Sequence, residues 1–342
     1  MSAAARGRLE SIPIDSALEP GARNAVVECL GVRDGERVLI ICDPGSEAIA
    51  AAILHVAIGV GAQVDACIVS PSDAASGAFV ARLMQRLVDT NVSVVVSQLD
   101  GIPPALRRRI VSEEIDNRRH GHMAGITRAM MEQSMRADYA EVDRLSRRVA
   151  ERLRPGASIE VHAPGGTELV VRLDPSCVVH AASGVQASAG WTNLPGGEVF
   201  GVPATVDGTL VADGGVWLAD GSELATAFRL RLTLEGGRVT HIDGTPEVAA
   251  RLGAALDADE GARRVGQVGL GTNTGVLAPI GALLQDLKLP GVHFALGHTC
   301  PEITRARFDS AVEIPLLVRR ASATIDGEPL LVAGRYAPAL LD

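Results

Sequence analysis

The first hundred residues alternate between short runs of consecutive apolar residues and longer stretches with helical spacing. "RVLIICD" (37–43), "QVDACIVS" (63–70) and "VSVVVSQ" (92–98) are β-rich runs. Between them lie "PGSEAIAAAILHVAIGVGA", Ala-rich and closed by glycines, and "AASGAFVARLMQRLVDT", whose apolar residues recur at helical intervals. Strand–helix–strand units of this length predict right-handed crossovers and a parallel sheet. From 123 to 154 the pattern predicts helices, with Thr127 as a cap and Pro155-Gly156 as the stop.

After that point the period shortens to two. "SIEVHAPGGTELVVRLD" (158–174) reads as a hairpin around Gly165-Gly166, and Gly236-Gly237 marks another within "ATAFRLRLTLEGGRVTHIDG". "EVFGVPATVDGTLVAD" and "ASATIDGEPLLVAGRY" add further short strands, and a helix is expected near 246–267. The fold class is therefore α/β: an N-terminal parallel-sheet domain (1–125), bridging helices (126–156), and a C-terminal α+β domain rich in antiparallel strands (157–342) that carries the active site. A chain of 342 residues accommodates two such cores, since one core rarely grows past roughly 250–300 residues.

Composition narrows the function. Hydrophobic residues are 47% and aromatics only 3%, so the core is aliphatic. A net charge of −9 argues against nucleic acid as a partner. "RRRI" (107–110) and "NRRHGH" (117–122) read as solvated helix faces rather than a membrane patch. Five scattered cysteines, an odd number without a CxxC, suit a reducing compartment. The N-terminal stretch has no apolar signal core, and the most apolar run (48–62) falls short of the roughly 20 residues a bilayer requires. A cytoplasmic protein acting on a small molecule is expected. Neither a dinucleotide fingerprint nor a Walker loop follows the first strand, so no nucleotide cofactor is expected.

Four places carry candidate chemistry. Glu198 follows the turn "NLPGG" and enters an apolar strand, where an acid is costly unless paired or bound to a cation; an exposed turn glutamate is the plain alternative. Gln267 closes the expected helix and is either a hydrogen-bonding group or a surface cap. "GVHFALGHTC" (291–300) places His293 in a buried strand, with His298 and Cys300 beyond Gly297; a cysteine beside histidine is a nucleophile only if its pKa is lowered, and buried inert cysteine is commoner. Glu313 lies among apolar residues in "FDSAVEIPLL". Glu198, His293 and Glu313 together could hold a divalent cation, although no HExxH or compact ligand motif is present.

The blocks "ITRAMMEQSMRADYAEVDRLSRRVAERL", "HAPGGTELVVRL", "TNLPGGEVFGVP", "DEGARRVGQVGLGTN", "LQDLKLPGVHFALG" and "SAVEIPLL" give the chain a resemblance to the aminopeptidase T family of metallo-aminopeptidases and to the related 2,5-dihydroxypyridine dioxygenases. The resemblance implies metal ligands at Glu198 and His293. It implies a second acid where this chain has Gln267, a tyrosine where it has Cys300, and a His-x-Asp pair that Glu313 and its neighbours do not keep. It further implies homodimers.

Three functions follow. One is a hydrolase of a small amide, peptide-like or ring-derived substrate, with one metal ion (Zn, Co, Mn or Fe) held by Glu198, His293 and Glu313, and with Gln267, His298 and Asn193 contacting substrate. A metal-free variant uses Cys300 as nucleophile, or Glu198 and His293 as acid and base. The second is a ring-cleaving dioxygenase, placing the chain in aromatic or heterocycle catabolism. The third is a non-catalytic binding relative with a decayed site.

Overall fold

The computed structural model describes residues 2–113, 115–218, 223–224 and 230–341. By packing, the chain divides into one unit of 1–143, 182–196 and 273–286, and another of 144–181, 197–272 and 287–342. The division falls within helix Tyr139–Arg152 rather than at 125 or 156, and the first unit takes back two later segments. Those segments are tied by polar groups: the Tyr139 hydroxyl accepts from Gly196 N–H at 3.2 Å, and the Asn273 amide donates to Ser134 O and Gly196 O.

In the first unit five parallel strands lie in the order Gln63–Ile68, Arg37–Cys42, Val92–Ser97, Arg119–Ala124, Gly190–Asn193. Both faces are covered. Val38, Ile40 and Cys42 join a cluster with helix Glu47–Gly59, while Leu39 and Ile41 join Phe79, Leu83 and Leu106 on the other side. This two-sided burial explains the near-continuous apolar runs. Thr127 caps helix Arg128–Glu132 as expected, accepting from Met130 N–H.

Residues 119–124 correct the sequence reading. They form an interior strand, not a solvated helix face, and Arg118 is 1% exposed. Polar groups here find partners inside: Ser93 Oγ lies 2.7 Å from His120 Nδ1 and accepts from Arg118 Nε at 2.9 Å, and Arg118 also donates to Ile110 O.

The second unit holds two sheets. The larger runs Arg238–Asp243, Leu230–Glu235, Pro203–Ala212, Glu168–Leu173, Ser158–His162, Ser322–Ile325, Glu328–Val332, Arg335–Tyr336. Its neighbours pair antiparallel, with both expected glycine hairpins present. Residues 225–229 of the second expected hairpin segment lie outside the described residues. The smaller sheet runs Gly215–Val216, Glu313–Val318, Gly291–Gly297, Val265–Gly271, Glu198–Gly201, His180–Ala182. One core holds Ile159, Val171 and Leu232 with Val268, Phe294 and Leu316. The helix expected to reach 267 ends at Leu256, and Gln267 lies in a strand instead.

Two histidines, His120 buried and His122 half-buried, make the first unit acid-sensitive. Burial, with Arg107 adding, lowers the pKa of His122 to about 4, and burial lowers His120 as well. The unfolded chain therefore binds more protons between about pH 6.5 and 4, and stability contributed above that window is lost as pH falls through it. Urea unfolding should lose about 3 kcal/mol from His122 alone across that interval. His122→Gln should flatten the slope; an unchanged slope contradicts the assignment.

Candidate active site

Period-two alternation sorts the smaller sheet's residues onto two faces. Val199, Val268, Leu270, Val292, Phe294, Leu296, Ile314 and Leu316 enter the core. Glu198, Gly269, Gly271, His293 and Glu313 point the other way. Gln267, two residues before Gly269 and opposite Ala295, joins them by the same alternation, while a bulge just before it turns Val265 to the core.

Two glycines bring the charged groups together. His293 pairs in register with Gly269, and a Cβ on Gly269 would lie 2.0 Å from His293 Nε2. The missing side chain lets the imidazole cross strand Val265–Gly271 to reach Glu198, whose register partner is Gly271. A Cβ on Gly271 would lie 1.9 Å from Leu289 O, so that glycine admits the 288–289 backbone. His293 Nε2 then stands 2.7 Å from Glu198 Oε1, and Lys288 Nζ bonds Glu198 Oε2. Glu198, Lys288 and His293 are 8%, 2% and 5% exposed.

Burial raises the pKa of Glu198, but the Lys288 charge and the His293 hydrogen bond outweigh it and hold the carboxyl well below its usual range. An ionised carboxylate only accepts, so His293 Nε2 carries the proton. Sequence reasoning missed Lys288, although a signal was present: it is the only lysine in a chain with 32 basic residues.

Beyond Gly297 the chain loops through a second cluster. His298, Cys300 and Glu302 offer ligand atoms all within 4.8 Å of one another. Asp309 organises them, lying 2.9 Å from His298 Nδ1 and accepting from Thr299 N–H at 2.9 Å. Gln267 donates to His298 O at 2.9 Å and to Cys300 Sγ at 3.7 Å. Glu302 and Asp309 were not singled out from sequence, because nothing local marks which surface acids fold back on His298. Glu313 is exposed to water. The neighbouring protein partly desolvates its carboxyl and raises its pKa first of all; Glu198 and Asp309 add to this, while His298 and Lys288 oppose it, and the exposure to water keeps the effect small.

Two expectations change. Cys300 is no ready nucleophile: burial, then Glu313, Glu302, Glu198 and Asp309, raise its pKa and keep the thiol protonated. The ligand set Glu198, His293 and Glu313 does not fit a dication as folded. One Glu198 oxygen holds an ammonium, the other an imidazole N–H, and an added dication would face the Lys288 charge. Asn193 belongs to the first unit, at the end of its edge strand and opposite His122. His298, Cys300 and Glu302, by contrast, are a donor set that suits a divalent ion, and a bound metal would deprotonate the thiol.

The fold and these clusters define a two-unit α/β protein with a buried acid–lysine–histidine centre beside a histidine–cysteine–glutamate loop. Residues 116–310, more than half of the chain, match the family described as thermophilic metalloprotease (M29), and the chain belongs to that family of peptidase-like hydrolases. No curated protein matches it. Among solved structures, wild-type AmpT from Thermus thermophilus is 18% identical over 94% of this chain and 99% of its own, with a TM-score of 0.70. The 2,5-dihydroxypyridine dioxygenase from Pseudomonas putida KT2440 is 17% identical over 95% and 99%, with a TM-score of 0.68. At these identities the likeness is one of fold. No helix among the described residues is long and apolar enough to cross a membrane.

Gly269→Ala should cost about 1–3 kcal/mol, because its methyl strikes the His293 ring. Gly59→Ala, on a helix with open space around it, should be neutral or mildly stabilising. In a His293→Ala background the Gly269→Ala penalty should shrink. An undiminished penalty in that double-mutant cycle would show that the glycine does not serve the His293 crossing.

Proposed function

We propose that the chain is a hydrolase of small amide or peptide-like substrates whose working end is the 298–302 loop and Glu313. The observation that carries this reading is the convergence of His298, Cys300 and Glu302 within 4.8 Å, in the segment that matches a metalloprotease family. A divalent ion bound by those three side chains would polarise a carbonyl and acidify a water.

The chain's own residues prepare that chemistry. Asp309 fixes the His298 ring through Nδ1 and leaves Nε2 as the ligating nitrogen. Gln267 restrains the Cys300 sulfur. Glu313, opposite Gly297 where the loop begins and exposed to water, is suited to take a proton from the attacking water and return it to the leaving amine. Lys288 and His293 are both bonded to Glu198, and the three supply a fixed local field rather than a mobile proton.

The test is a panel of aminoacyl anilides and small primary amides, assayed with metal content measured on the same protein. Asp309→Ala should weaken metal binding about 10- to 100-fold. Glu313→Gln should lower kcat about 100- to 10,000-fold with metal content unchanged. Full turnover by Glu313→Gln removes its proton-transfer role. Metal binding indifferent to Asp309→Ala and Cys300→Ser removes the loop as the ligand set.

A further inference from the structure

We propose that the Lys288 ammonium is a tethered cation that takes, at Glu198 and His293, the place a divalent metal ion would otherwise fill. The inference is independent of the substrate and of hydrolysis.

Four observations carry it. First, Lys288 is the only lysine among 32 basic residues, every other one being arginine. A planar guanidinium needs a wide, forked partner, whereas an ammonium is a compact point charge closer in size to a metal ion. Second, that one ammonium is not on the surface. Its side chain is 3% exposed and bonded to a carboxylate whose own side chain is 10% exposed. Third, the backbone is shaped to deliver it. Gly271 leaves the space into which residues 288–289 press, and no side chain would fit there without moving the chain. Fourth, the donors around it are those of a metal pocket with its charge reduced. Glu198 and His293 each present an atom suited to a cation, but Gln267 contributes a neutral amide, and that amide is spent on His298 O and the Cys300 sulfur. One carboxylate, one imidazole and one ammonium balance without an added ion. A dication would have to displace an ammonium that cannot diffuse away.

The experiment uses the full-length chain with Cys300→Ser, which removes the thiol ligand of the neighbouring loop. Cobalt(II) is titrated calorimetrically and by visible absorption into this background and into Cys300→Ser/Lys288→Met. The Lys288→Met variant should bind one cobalt ion at least tenfold more tightly than its parent and gain thermal stability with added cobalt. The gain should vanish when Glu198→Gln is added. The new site should show no thiolate-to-cobalt charge-transfer band, which separates it from any binding at His298, Cys300 and Glu302 in the parent sequence. Equal affinity with and without Lys288 overturns the proposal. So does cobalt binding by the Cys300→Ser protein that Glu198→Gln abolishes while Lys288 is intact. If Lys288→Met fails to fold, the question passes to the Glu198→Gln/Lys288→Met pair, in which no charge is left unpaired. The metal content of that pair should match the unmodified chain, and a lower content refutes the inference. Loss of the hydrolase reading would leave all these results standing.

Discussion

An ionised carboxylate in a protein interior must be answered by charge and hydrogen bonds, and in this chain the answer to Glu198 organises the second unit's polar face. Lys288 neutralises one oxygen and His293 donates to the other. Neither partner is near Glu198 in sequence. Each arrives because strand Val265–Gly271 gives up side chains at Gly269 and Gly271. Removing one member of such a pair typically costs about 3–5 kcal/mol, since the survivor is left buried and uncompensated. The pair therefore fixes strand register and Lys288 backbone position together.

The same sheet separates support from chemistry. Its inner face is apolar and packs against the larger sheet. Its outer face carries the acid, the imidazole and the two glycines, and just past its strand end the chain turns at Gly297, where φ is +90° and a side chain would strike Val312 O. His298, Cys300 and Glu302 hang from that turn. Asp309 secures its start, and Asp259 secures its far end by accepting from Ser310 Oγ and Ala311 N–H. A rigid face with a clamped loop at its edge holds donors in place without spending core packing.

Much of this was legible in the sequence. Apolar runs separated by helical spacing gave the parallel sheet, and Gly-Gly turns gave the hairpins. An acid and a histidine in apolar strands marked Glu198 and His293 for attention. Other features were hidden for physical reasons. Residues 119–124 look like a solvated surface because the partners of Arg118 and His120, Ser93 and Ile110 O, are remote in sequence. Gln267 looked like the end of a helix because the helix stops at Leu256 with no proline or glycine beside it, and the strand begins only at Val265. The discontinuity of the first unit depends on Tyr139 and Asn273 hydrogen bonds that no local pattern announces. Lys288 was overlooked for a different reason: its signal was its rarity across the chain, not its neighbours.

The most direct measurement of the central ion pair exploits that rarity. A chain grown with lysine labelled by nitrogen-15 at Nζ carries one labelled side chain, Lys288. An ammonium buried against Glu198 exchanges its protons slowly, and should give one sharp Nζ resonance near neutral pH that moves when His293 is replaced. Fast proton exchange, leaving no observable ammonium signal under those conditions, would mean that Lys288 lies in water and that Glu198 is not held as described.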